Sequence, residues 1–386
     1  QNTSPNAVGV PTPDISRTPV PEPGATRSDV GNDFRQAARH ITSRTSAAAV
    51  ENVSGFVNKA VKRRLNAGST PGGGTDTNRE GGATALNSTP GAGGNGTAML
   101  LGRPGMETLS SPAGAPLTDA MPGNTRPLRG LWMDTASTFL DYDRTGGAFD
   151  GSVVSVGSGI DRMLGERLLA GIAVAYERGD IDSAFNNGGL ESNAISLAPY
   201  IGWQVQPNIV IDANVGVAFV DYDMDRNAGA VRGEFDATRL FGAVNATGDF
   251  RRDRWRLSPS AGLLFFSERQ SSYADSTGVA VAAQTVPLGR LKGGLEAGYR
   301  IAAREEAYIL EPYLRLEGEW DFVRADSVTL TTGEIVRPGG GGASIAAGLN
   351  MINGSRWSGN LEARYDSIGR SDYESATVKG ALRLSF

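Results

Sequence analysis

The stretch from Glu374 to Phe386 reads ESATVKGALRLSF. Taken by parity, Ala376, Val378, Gly380, Leu382, Leu384 and Phe386 fall on one side of an extended chain. Ser375, Thr377, Lys379, Arg383 and Ser385 fall on the other. A period of two with one apolar and one polar face is the signature of a β-strand.

The same alternation recurs upstream. Leu310, Pro312, Leu314, Leu316, Gly318, Trp320 and Phe322 interleave with Glu311, Tyr313, Arg315, Glu317, Glu319 and Asp321. Leu361, Ala363 and Tyr365 interleave with Asn360, Glu362, Arg364 and Asp366, and Ile209 to Phe219 does the same around Asp212 and Asn214. A soluble sandwich hides its apolar faces; a transmembrane barrel turns them to lipid and keeps charges in its lumen. Charged faces on so many strands favour a closed wet lumen, which also leaves no strand edge unpaired in lipid. The aromatic Phe386 in last place agrees with a barrel.

Composition divides the chain near Gly130. Residues 1–130 hold 13 Lys/Arg and 9 Asp/Glu, a balance of +4; residues 131–386 hold 24 and 33, a balance of −9. All 5 Trp and all 10 Tyr lie in the second part, whereas Phe34 and Phe56 are the aromatics of the first. Only residues 131–386 have the makings of a large folded domain. The absence of cysteine excludes a disulfide scaffold and thiolate metal sites, and the single His40 excludes a histidine cluster. No run approaches the roughly 18 apolar residues of a membrane helix, which says nothing against barrel strands. The start at Gln1 fits a removed signal peptide or a cropped chain.

Within residues 1–130, the proline-rich opening and the Gly-rich stretch 68–98 read as disordered and linker-like. Met99 to Leu109 reads as a short sticky patch. Between them Phe34, Ala37, Ala38, Ile41 and Ala48 suggest a weak helix, and Val53, Phe56, Val57, Ala60, Val61 and Leu65 a better one over about 49–66. Lys59, Lys62, Arg63 and Arg64 crowd its end, where the helix dipole favours cations. That basic element either touches anionic lipid, peptidoglycan or the barrel lumen, or is a small helix with a solvated side.

Twelve strands are expected, at 131–142, 149–160, 168–180, 190–203, 209–221, 233–249, 255–268, 286–301, 308–322, 340–352, 357–367 and 373–386. Each is as long as a tilted membrane strand, about 9–11 residues or more. Alternate connections read as long and short, as in barrels with short periplasmic turns and longer outer loops. Trp132, Tyr142, Tyr200, Trp203, Trp255, Tyr308, Trp320, Phe322 and Trp357 sit near strand ends, where an interfacial belt is expected. The fold class is all-β: a twelve-stranded antiparallel transmembrane barrel over 131–386, preceded by a largely disordered segment, 1–130, with one or two short helices.

Particular segments resemble a known family. Phe149-Asp150-Gly151 leading to Ser155–Asp161, then Leu168–Tyr176, Tyr200-Ile201-Gly202-Trp203, Leu310-Glu311-Pro312-Tyr313 and the terminal Gly380 to Phe386 are similar to translocator domains of bacterial autotransporters, the type V secretion proteins. The resemblance implies a monomeric barrel in the outer membrane of a Gram-negative bacterium, surrounded by lipid and lipopolysaccharide. It further implies insertion by the barrel assembly machinery, with Gly380, Leu382, Leu384 and Phe386 as the assembly signal. Ala381 stands where that signal commonly has Gly. Family members usually carry a pore helix directly before the first strand and a β-solenoid passenger; here the better helix ends about 65 residues earlier and no rungs repeat.

The lumen-lining candidates are Asp212, Asn214, Glu311, Arg315, Glu317, Glu319, Asn360, Glu362, Arg364, Lys379 and Arg383. They line a hydrated conduit or docking surface, or they brace the barrel by mutual pairing. Glu305-Glu306 lacks a base or nucleophile beside it, and Asp221, Asp223 and Asp225 suggest a stray acidic run before a cation site. No enzyme activity, cofactor or nucleic-acid partner is expected. The function read from the chain is export or display of the N-terminal segment. A structural anchor with a periplasmic segment binding cell wall, chaperones or another partner is the alternative, and a passive pore a third.

Overall fold

The computed structural model describes residues 27–66 and 129–385, apart from 145, 304–307, 331–332, 334, 337–339, 354–356 and 371–372. The expectations for the opening segment, the Gly-rich linker, the patch near Met99, Glu305-Glu306 and Phe386 lie outside the described residues. Among these described residues one helix, α1 (Arg27–Asn66), precedes twelve long strands. These are β1 (Arg129–Tyr142), β2 (Phe149–Met163), β3 (Leu168–Ser183), β4 (Gly188–Gln206), β5 (Ile209–Arg226), β6 (Val231–Gly248), β7 (Trp255–Gln270), β8 (Gln284–Tyr299), β9 (Tyr308–Val323), β10 (Gly341–Asn353), β11 (Trp357–Ile368) and β12 (Tyr373–Ser385).

Each long strand pairs antiparallel with its sequence neighbours, and β12 returns to β1 with Leu131 opposite Leu384 and Tyr142 opposite Tyr373. The sheet is a closed twelve-stranded antiparallel barrel with no free edge among these strands. Burial is inverted relative to a soluble protein. Phe219 and Val215 are both 64% exposed on the outside of β5, while Asp212 between the strand's apolar residues is 1% exposed inside. The apolar faces therefore have no protein to pack on, and lipid is the medium that satisfies them.

The strands begin within two residues of the expected positions, but several run further. β5 continues past 221 to Arg226, so the connections 184–187 and 227–230 are tight turns rather than long loops. Asn187, Asn227 and Ala228 adopt positive φ there (49°, 54° and 55°), the left-handed geometry that matches strand twist in a short hairpin. Length at this end is carried by 271–283 and 324–340. Each contains a two-stranded ribbon, Tyr273–Ala274 with Ala280–Val281 and Val328–Thr329 with Ile335–Val336. Val281, Val328, Leu330 and Val336 are buried in one cluster with Phe34 and Ile41 of α1, so both connections fold over the mouth. We call this the loop end; the other, with the connections 164–167 and 207–208, is the turn end.

The aromatic belt is only partly as expected. Trp203, Trp255, Trp320 and Phe322 face outward, but Trp132, Tyr142 and Tyr200 face the lumen. Trp132 donates from Nε1 to the Tyr200 hydroxyl at 2.8 Å, so their polar atoms satisfy each other inside.

The orientation of β12 carries a direct prediction. Val378 (54% exposed) points outward at mid-strand and Glu374 points outward beside the loop end. Val378→Lys is expected to cost about 2–4 kcal/mol, against about 0–1 for a lysine near the interface such as Glu374→Lys. The folded fraction of each variant in isolated outer membranes, read by heat-modifiable migration, checks this. Equal assembly of the two would refute the outward placement of Val378.

Candidate functional site

The site is the lumen, and α1 runs through it. The expected helix over 49–66, with a weaker one before it, is instead a single helix from Arg27 to Asn66. It is enclosed by the barrel, so Phe34, Ile41, Val57 and Leu65 are buried, and so are His40, Thr42, Ser46 and Asn52 on other faces. A helix buried all round shows little amphipathic period, which is why its first half reads weakly in sequence.

Close approach is made possible at two strand positions. A Cβ on Gly202 of β4 would lie 2.2 Å from Val61 Cγ1, and one on Gly157 of β2 would lie 2.6 Å from Phe56 Cδ2. Any side chain there would collide with the helix. The missing Cβ atoms let α1 lie against the wall.

Polar contacts fix the helix axially. Near the loop end, His40 Nε2 lies 2.9 Å from the Gly147 carbonyl, with its ring edge-on to Tyr142 and Phe149. In the middle, Ser46 donates to Glu268 Oε2 at 2.8 Å, and Asn52 donates to the hydroxyls of Thr138 and Ser155. Glu51 binds Arg290 (2.5 Å) and Lys292 (3.1 Å). Towards the turn end, Lys62 and Arg64 stand 3.7 and 3.6 Å from Glu296 and Asp161, and Asn66 donates to Asp249 at 3.1 Å. The helix holds 8 Lys/Arg and 3 Asp/Glu, a charge of +5, and much of it meets wall carboxylates. Buried pairs contribute more to a unique register than to net stability, because desolvation offsets their attraction.

All eleven lumen candidates point inward, and all but Lys379 separate into two sets. Asp212, Asn214, Asn360 and Arg383 touch the helix. Asp212 accepts from Asn58 at 2.6 Å, Asn214 from Ser54 at 3.4 Å and Asn360 from Lys59 at 2.7 Å. Arg383 donates to the Ala60 carbonyl at 3.1 Å and to both oxygens of Asp161 at 2.7 and 2.6 Å. The second set braces the wall. Glu311 accepts from Arg256 (2.6 Å), Glu362 from Arg315 (2.8 Å) and Tyr313 (2.6 Å), and Glu319 from Arg290 (3.0 Å). Arg364 is paired with Glu317 at 3.2 Å. Lys379 makes no ion pair or hydrogen bond among the described residues. Of the proposed assembly signal, Leu382 and Leu384 face outward and Gly380 shares their face.

Sequence reasoning missed the group of Glu177, Arg239 and Glu268. They come from β3, β6 and β7, with Arg239 bonded to both carboxylates at 2.8 Å. Their inward parity was visible in each strand; their meeting required the closed barrel. Asp221 and Asp223 lie exposed on the outer face of β5, and no cluster suited to a metal ion occurs among the described residues.

The geometry can be set beside known proteins. The autotransporter beta-domain family matches residues 131–364. The beta domain of the Bordetella autotransporter BrkA superposes with a TM-score of 0.56 at 18% identity, covering 67% of this chain and 100% of that one. The translocator domain of NalP from Neisseria meningitidis gives 0.53 at 16% identity, with 68% and 90% covered. The transport unit of AIDA-I from Escherichia coli gives 0.54 at 13%, with 69% and 92% covered. No curated protein sequence matches this chain. A closed, outward-apolar barrel of twelve strands, matched over most of its length by that family, makes this chain a member of the autotransporter beta-domain family and its barrel an outer-membrane translocator barrel.

Proposed function

We propose that the barrel carries the N-terminal segment of this chain to the cell surface. One observation supports this most strongly: the polarity of α1 in the lumen. Its first turns lie at the loop end, where Arg39 reaches Asp326 of the 324–340 connection at 3.8 Å. Its last turn lies at the turn end with Asp161 and Asp249, the same end at which β1 begins. Short turns mark the periplasmic side of such barrels, so the N-terminal end of α1 faces the outer side. A segment anchored in the periplasm would instead approach the helix from the turn end. On this reading the barrel works as a conduit, not a catalyst, and its lumen side chains seat the last portion of the chain to pass.

Protease treatment of intact cells carrying an epitope ahead of Gln1 tests the proposal. Loss of the epitope without permeabilisation is the expected result. Protection until the outer membrane is breached would refute export and favour the periplasmic anchor.

A further inference from the structure

A cavity of about 50 Å³ lies between α1 and the wall formed by β8, β9, β11 and β12. It extends from Arg324 and Arg370, in the loop-end connections, down to Thr138 and Lys379. At roughly 10–15 Å³ for each water-sized occupant, this is room for about four oxygen-sized atoms. Its charge is not balanced. The lining holds six cations (Arg44, Arg290, Arg324, Arg364, Arg370, Lys379) and four carboxylates (Glu51, Glu319, Asp321, Asp366), an excess of two positive charges.

The carboxylates are already engaged. Asp321 takes both Nε and Nη2 of Arg290, at 2.5 and 2.9 Å, and Glu319 takes Arg370 at 2.5 Å. Glu51 is held by Arg290 and Lys292, and Asp366 by Arg364. Arg44 is left over: among the described residues it forms no ion pair or hydrogen bond. Its guanidinium lies 4.4 Å from the Tyr373 ring centroid, and that of Arg370 lies 5.8 Å from the same centroid. Arg370, nine-tenths buried, leaves Nε without an acceptor. Two guanidiniums thus share one aromatic ring beside a void with no free carboxylate.

We propose that this cavity binds a small polyvalent oxyanion, of the phosphate or sulfate class, between Arg44 of the helix and Arg370 of the β11–β12 connection. Four tetrahedral oxygens fit the volume. Planar guanidinium forks bind such oxygens bidentately, and Tyr373 offers a flat surface on which both cations rest. The anion neutralises the excess charge and ties α1 to the β11–β12 connection at the loop end. This inference does not depend on export of the N-terminal segment.

Isothermal titration of the full chain in detergent tests it, with sodium phosphate, sodium sulfate and sodium acetate at matched ionic strength. Phosphate and sulfate are expected to bind in the millimolar range or tighter, with acetate weaker. Arg44→Gln removes a charge-assisted contact and is expected to weaken phosphate by about tenfold or more. Ala48→Glu provides a second route, because residue 48 lines the same cavity one turn from Arg44. A resident carboxylate there should abolish phosphate binding and raise the unfolding midpoint as phosphate does in the parent. No phosphate binding by the parent chain would overturn the proposal. So would acetate binding as tight as phosphate, or titrations unchanged in both folded variants.

Discussion

Arg239→Ala is expected to cost about 3–5 kcal/mol of stability through the charges it strands. Arg239 is buried and bonds Glu268 and Glu177 at 2.8 Å each, while its Nη2 donates to Ser46 at 3.2 Å. Both carboxylates are themselves buried, at 0% and 4% exposure. Without the guanidinium the two carboxylates stay buried with no cation bonded to them, and Ser46 of α1 loses one of its anchors. The triple variant Arg239→Met, Glu177→Gln, Glu268→Gln removes all three charges and is expected to recover most of the loss. Urea midpoints of purified barrels report the difference. A single variant as stable as the parent would show that water or another cation replaces Arg239.

Deletion of residues 27–66 is expected to convert a nearly silent barrel into a conducting one, raising single-channel conductance by about tenfold or more, since a helix with its side chains fills a column about 10–12 Å wide. The contacts of α1 are distributed along its length, from Arg39 and His40 to Arg64 and Asn66. The column it vacates is lined by wall carboxylates, guanidiniums and amides that water can solvate. Planar-bilayer recordings of the parent and the deletion protein settle the matter. Equal conductance would mean that the folded connections 271–283 and 324–340, rather than the helix, close the mouth.

The barrel was legible because its strands obey a single rule. In β9, and over the apolar belt of β5 and β12, every charge falls on the inward parity, which sets orientation and register. Aromatics near strand ends were a weaker guide. Trp132 and Tyr200 have inward parity, and position along a strand does not specify face. The tight turns at 184–187 and 227–230 are not legible because Asp182 and Asp223, just past the expected strand ends, read as loop residues. They occupy strands that continue beyond the apolar belt, where an outward carboxylate meets water. The lumen was half legible. Single strands reveal which side chains point inward, but Arg239 and Glu177 are 62 residues apart and meet only through closure.

The ends of α1 and β1 have one further consequence. Asn66 and Arg129 lie at the same rim, and the 62 residues from 67 to 128 connect them. At about 3.3 Å per residue that chain reaches at most about 200 Å, several times the roughly 60 Å length of the helix. By contour length alone, that connection does not hold the stopper in place. It can be drawn out of the barrel on either side without a peptide bond being cut, and it returns by a first-order step whose rate does not depend on protein concentration. A pore helix joined directly to the first strand has no such freedom: it unplugs by breaking its contacts and distorting the strand, or by proteolysis. Here unplugging breaks only the contacts of α1 with the lumen wall and with the loop-end connections.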